Sequence, residues 1–138
     1  MTRINVIPPE ELTDQHLLAE YRELPRVFAL SRNARPSNLV STPPTYTLGT
    51  GHVRFFYPRT GFLARRQRGL ILELLDRGYA LTHREAPEPV PGLDQDWTPD
   101  AEARHVNLVR LRDKLAKVGA RYTHRGVPVD IHFYGGSD

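Results

Sequence analysis

Three separate runs of this chain place apolar residues at helical spacing, and two of them close on a glycine that can stop a helix. Leu17, Tyr21, Leu24 and Phe28 recur at intervals of four, three and four, which puts them in one stripe along an α-helix. Leu63, Leu70, Ile71 and Leu74 form a second stripe, ended by Gly78, a residue suited to the left-handed position after a helix. Leu108, Leu111, Leu115 and Val118 form a third, ended by Gly119. The pattern predicts helices over about residues 14–31, 61–77 and 101–118. Thr13 or Asp14 can cap the first. Pro25 lies inside it and lacks a backbone N–H, so it predicts a kink. Three helices with apolar stripes must bury them against one another, and the expected fold is a small all-α domain.

The intervening segments read differently. Residues 33–51 carry Pro36, Pro43 and Pro44 among Ser, Thr and Gly, and predict a long ordered loop. Residues 52–57 are a short apolar run, either a strand or a helix start embedded in the core. Residues 81–100 are acidic and proline-rich, a connector. Residues 120–138, with Tyr122, Phe133 and Tyr134, predict an irregular or extended tail. At 138 residues the chain suits a single domain over 1–138.

Composition narrows the chemistry. The chain has no cysteine, which excludes disulfides, thiolate catalysis and cysteine-ligated metal centres. It lacks the glycine-rich phosphate cradles and the H-E-x-x-H pattern, so no cofactor and no metal are expected. No apolar run reaches the ~18 residues of a membrane span, and the N-terminus has no export pattern. A cytoplasmic protein without a membrane partner is expected. The net charge of +3 is modest, but it is unevenly spread. Residues 41–80 and 101–138 are basic, and 81–100 are acidic. Lys114 and Lys117 are the only lysines among nineteen cations. Arginine favours planar, bidentate partners such as phosphate, so nucleic acid is a candidate partner.

The polar residues sharpen that reading. At ~100° per residue, His16, Arg22, Glu23 and Arg26 share a sector opposite the first apolar stripe. One carboxylate thus lies among two guanidiniums and an imidazole. Arg110, Lys114, Lys117 and Arg121 share a stripe opposite the leucines of the third helix. The chain begins Met1-Thr2-Arg3. Removal of Met1 exposes an α-amine with a pKa of ~7.7–8.0, which the Arg3 charge lowers further. Such an amine is a competent nucleophile near neutral pH.

These residues resemble a known family. The stretches M-T-R-I-N (1–5), D-Q-H-L (14–17) and A-E-Y-R-E-L-P-R-V-F (19–28) are similar to phage-type pyrimidine-dimer DNA glycosylases, also called endonuclease V. So are G-H-V and F-F-Y within 51–57, F-L and R-R-Q within 62–67, L-I (70–71) and R-G (77–78). The likeness covers most of the first eighty residues and returns faintly at R-L-R-D-K-L-A (110–116). It implies a compact set of three main helices, long irregular loops and an N-terminal segment threaded between the helices. It also implies an enzyme that acts on damaged double-stranded DNA without a metal, and a monomer is expected. In that reading the Thr2 α-amine attacks the sugar of a cyclobutane dimer and forms a Schiff base, and β-elimination then cuts the strand. Glu23 matches the essential carboxylate. Arg22 and Arg26 match phosphate-gripping residues, and Arg3, Gln15 and His16 match others that line the site. Arg110 and Lys114 match backbone-binding cations on the third helix. The family's tail cluster of aromatics has two candidate counterparts here, R-Y-T-H-R-G (121–126) and I-H-F-Y-G (131–135).

Overall fold

The computed structural model describes residues 2–135. An extended N-terminal segment leads through a short 3-10 turn, Pro9–Glu11, into α1 (Asp14–Glu23). There follow α2 (Pro25–Arg32), α3 (Pro36–Val40), α4 (His52–Phe55), α5 (Thr60–Asp76) and α6 (Ala101–Leu115). An antiparallel hairpin of β1 (Tyr122–His124) and β2 (Val127–Val129) comes last. The architecture is therefore mostly helical with one small two-stranded sheet, which corrects the all-α expectation at the tail. The physical cause is the Arg125-Gly126 pair. Both residues take positive φ, 51° and 81°, the backbone that a two-residue hairpin turn requires.

The expected first helix divides in two. Pro25 cannot donate to the preceding turn, so α1 ends and α2 begins with Pro25 at its first position. Leu24 between them stays right-handed, with φ −55° and ψ −41°. The Thr13 side chain caps α1 by accepting from the His16 N–H. The loop over 33–51 contains α3, and the apolar run after it takes the helical alternative as α4. α5 ends as expected, since Gly78 N–H and Tyr79 N–H bond back to the carbonyls of Leu75 and Leu74 around a left-handed Gly78. α6 stops at Leu115. Val118 lies beyond it and is fully exposed, so it does not belong to the third stripe.

The acidic connector is tied to the fold. Leu93 and Gln95 carbonyls accept from the Thr60 and Phe62 N–H groups, satisfying donors that a helix start leaves free. Gly61 permits this approach, because a side chain there would collide with the Asp94 carbonyl. Trp97 then packs edge-on against Phe55 and Phe62. The core joins Leu17, Leu24, Phe28, Phe55, Phe56, Leu63, Leu70, Leu74 and Leu111 with Ile4 of the N-terminal segment.

Candidate active site

The N-terminal segment runs through the protein as extended chain without a neighbouring strand. Residues Ile4, Asn5, Val6 and Ile7 are all buried. Buried backbone groups need partners, and side chains from four different parts of the fold supply them. The Ile4 N–H donates to His52 Nε2 at 2.8 Å, and the Ile4 carbonyl accepts from the Tyr46 hydroxyl at 2.7 Å. Asn107 Oδ1 on α6 accepts from the Val6 and Ile7 N–H groups at 2.7 and 3.3 Å. Arg66 on α5 donates to the Ile7 carbonyl. The Asn5 amide donates to Glu20 Oε1 at 3.0 Å and accepts from Asn107 Nδ2 at 2.7 Å. Arg66 completes the network with a bidentate ion pair to Glu20 at 2.8 and 3.0 Å.

His52 has a definite protonation state in this network. Its Nδ1–H donates to the Thr47 carbonyl at 2.6 Å, which leaves Nε2 as an acceptor for Ile4. Burial, together with the charges of Arg3 and Arg110, lowers its pKa to about 4 against the opposing Thr47 bond. The ring is neutral at pH 7 and holds the chain two residues from Thr2.

Arg3 and Thr2 emerge from the buried stretch half-exposed. The Arg3 guanidinium folds back to donate to the Thr2 carbonyl at 3.0 Å. Arg3 also lines a hollow of about 650 Å³ with Leu48, Val109, Arg110, Lys114 and Lys117. The cations crowd one another. Burial and then Arg3 push the Arg110 guanidinium below its usual value, and Tyr46, Glu23 and Tyr122 offset part of that. Lys117, then Arg110, lower the Lys114 ammonium.

His16 adjoins this group through both tail segments. Its ring lies 4.7 Å from that of Tyr122 and 5.7 Å from that of Tyr134. The two candidate aromatic stretches therefore converge on one histidine. Burial, then Arg110 and Lys114, lower its pKa to about 4. Gln15 is engaged elsewhere: its amide exchanges two hydrogen bonds with Thr123, at 3.0 and 2.9 Å, and so docks the hairpin. Arg22 opens on a different hollow, of about 560 Å³, with Tyr21, Pro25, Gln67 and His83. Arg26 is exposed.

The ion pairs of the described residues separate the arginines into two groups. Arg65, Arg66, Arg77 and Arg125 pair with Asp96, Glu20, Asp14, Glu73 and Asp76. Arg3, Arg22, Arg26, Arg110 and Lys114 take part in none of these pairs, and neither does Glu23. The charged residues expected from the sequence thus have no ion-pair partner among the described residues. A family model for pyrimidine dimer DNA glycosylases matches residues 1–86.

The chain belongs to the pyrimidine dimer DNA glycosylase family.

The match spans the N-terminal segment and α1 to α5, and so includes Thr2, Arg3, Gln15, His16, Arg22, Glu23 and Arg26. Arg110 and Lys114 lie on α6, outside the residues that carry the glycosylase-family match. Sequence reasoning missed the residues that hold the segment in place: Tyr46, His52, Asn107, Glu20 and Arg66. Glu20 and Arg66 have the composition of helix-surface charges, and their burial has no local signature. Asn107 interrupts the apolar run of Val106, Leu108 and Val109 and stands in register with the buried Leu111 and Leu115, which was its one signal. His52 also had a clue, since it opens an apolar run.

Proposed function

We propose that this chain excises cyclobutane pyrimidine dimers from double-stranded DNA and cuts the strand at the resulting site, using the Thr2 α-amine after removal of Met1. Met1 lies outside the described residues. The amine nitrogen bonds to C1′ of the 5′ nucleotide of the dimer, the glycosidic C1′–N1 bond breaks, and its electron pair leaves with the base. The sugar ring opens to a protonated imine. Loss of a C2′ proton then expels the 3′ phosphate by β-elimination, and water releases the enzyme from the imine.

The observation that carries the reading is the clamping of Ile4 to Ile7 by buried side chains. A terminus used only as a chain end needs no such support, whereas a nucleophile gains from being held in place. Glu23 takes part in no ion pair among the described residues. In this reading it stabilises the positive charge that develops on the sugar and moves the protons of ring opening and elimination. Arg3, Arg22, Arg26, Arg110 and Lys114 take phosphates on both flanks of the lesion, where contacts position the duplex rather than read its sequence. His16 completes the lining, and Gln15 supports it by docking the hairpin through Thr123.

Borohydride trapping tests this without a divalent metal. Met1-processed protein is offered three labelled duplexes, carrying a cis-syn thymine dimer, an abasic site or no damage. A covalent complex with the dimer duplex is expected, and a variant keeping one extra residue ahead of Thr2 should lose it. Trapping on the abasic duplex alone overturns the dimer specificity and keeps the lyase chemistry. Trapping on neither overturns the enzyme reading in favour of a DNA-binding module. Normal trapping by the extended variant moves the nucleophile to Lys114 or Lys117.

A further inference from the structure

The tail reaches His16 through one hydroxyl that bridges the ring to the backbone of Thr13. The Tyr134 hydroxyl oxygen lies 2.9 Å from the Thr13 backbone nitrogen and 2.7 Å from His16 Nδ1. A backbone N–H only donates, so the Tyr134 oxygen accepts from Thr13. The hydroxyl also has one proton, and of its two hydrogen-bond partners only His16 Nδ1 can take it. A protonated Nδ1 would leave both that proton and the Nε2 lone pair without a partner among these bonds, so the pairing favours Nδ1 as the acceptor and Nε2 as the site of the ring proton in the neutral imidazole. That Nε2 is buried and has no hydrogen-bond partner among the described residues. A buried donor without a partner is a cost the fold bears, and here it lies among groups assigned to DNA contact.

We propose that Tyr134 is a positioning residue that fixes His16 as the Nε2–H tautomer, so that His16 meets the DNA as a neutral hydrogen-bond donor and not as a base. The proposal rests on the function proposed above and adds the role of this one ring. Every charged or titratable group identified around the imidazole favours it. Arg110 and Lys114 approach from α6 and oppose protonation. Tyr122 stacks from β1, and Tyr134 donates from the tail. With Nδ1 occupied by a donor and a second positive charge disfavoured, the ring has no lone pair to offer the substrate. Its one remaining group is the Nε2–H, covered in the free protein and suited to a phosphate or sugar oxygen that reaches it as the duplex binds.

Nitrogen-15 NMR reads the tautomer directly in the full chain, with the His16 signal identified by its loss in His16→Gln. The expected pattern is Nε2–H with an accepting Nδ1 from about pH 5 to pH 8. An Nδ1–H pattern in the wild-type protein overturns the proposal. Saturating a duplex that carries a tetrahydrofuran abasic analogue, which binds without reacting, should move Nε2 and leave Nδ1 in place. An unmoved Nε2 overturns the donor role, and this arm does not depend on catalysis. Tyr134→Phe should mix the tautomers and raise the pKa of His16, because it removes a donor that favours the neutral ring. Should Tyr134→Phe not fold, two His16 variants decide. Glutamine places an amide N–H where Nε2 lies, and asparagine places one where Nδ1 lies. Cleavage at an abasic site should stay within ~5-fold of wild type for His16→Gln and fall more than ~10-fold for His16→Asn. The opposite order overturns the proposal. A wild-type protein that does not cleave refutes the proposed function instead, and leaves both NMR arms readable.

Discussion

Glu20 and Glu23 stand three residues apart on α1, and the fold gives them opposite fates. Glu20 is 1% exposed and is held by two nitrogens of Arg66, Nε and Nη2, and by Asn5. Glu23 is half-buried and outside the ion pairs of the described residues. A buried charge that loses its partner is costly, so Glu20→Gln should lower unfolding free energy by about 3–5 kcal/mol, measured by urea denaturation. Glu23→Gln should change stability by no more than ~0.5 kcal/mol. It should keep DNA affinity and lower strand cleavage by about 100-fold or more. Retained cleavage in that variant would remove Glu23 from the mechanism. Buried His52 and half-buried His16 add a pH dependence. His16 and His52 have pKa values lowered from 6.5 to about 4 by burial first and neighbouring cations next. The unfolded chain therefore binds more protons than the native one in that window. Stability is complete above pH 6.5 and is lost as pH falls towards 4. Urea midpoints across this range should fall with acid, and His52→Gln should flatten the slope.

At the scale of elements, two joints decide whether the site assembles. The first is α6 against the N-terminal segment through Asn107. Asn107→Leu leaves the Val6 and Ile7 N–H groups and Asn5 Oδ1 without their partner, and each such group costs about 1–3 kcal/mol when buried. Hydrogen exchange at Val6 and Ile7 should accelerate in this variant, and covalent trapping should slow even where DNA binding persists. The second joint is the hairpin against α1. Asp14 accepts from the Thr123 hydroxyl, the Arg125 and Gly126 N–H groups and the Arg77 guanidinium. Burial raises its pKa, but these four donors outweigh burial and bring the value down to about 2. Here the native pKa lies below the unfolded one, so the contribution is present above pH 3.8 and is lost as pH falls to about 2. Asp14→Asn should abolish that acid step and loosen the hairpin that carries Tyr122 to His16, seen as faster amide exchange at Arg125 and Gly126.

Across the whole molecule the division between paired and unpaired cations sets the response to salt. Binding that neutralises phosphates weakens as salt rises, with a slope close to the number of contacts. Removing Arg22, Arg26, Arg110 or Lys114 singly should each reduce that slope by about one. Arg125→Gln, which removes a cation already paired with Glu73 and Asp76, should leave the slope unchanged. Equal losses in both sets would mean that the uncompensated charges are not the DNA-facing ones. No described helix is long and apolar enough to cross a membrane.

The helices were legible because their signals are local. An apolar stripe, a Thr13 cap, a Pro25 break and a Gly78 terminus each depend on residues within a turn or two. The family was legible for the same reason, since A-E-Y-R-E-L-P-R-V-F is a contiguous string. The hairpin was not, because two three-residue strands hold only when Asp14 binds the turn between them. Val118 was misread because a stripe continues in register only while the helix does. The candidate site residues could be named from the sequence, but their surroundings could not. Whether a glutamate is a buried strut or an open charge depends on Arg66, forty-six residues from Glu20. Which nitrogen of His16 bears its proton depends on a tyrosine 118 residues away. Sequence alone determined the elements and the kinship, because both reside in short stretches of chain. Burial, protonation and ion pairing were decided only by the tertiary structure, because each is a property of distant residues that folding brings within about 3 Å of one another.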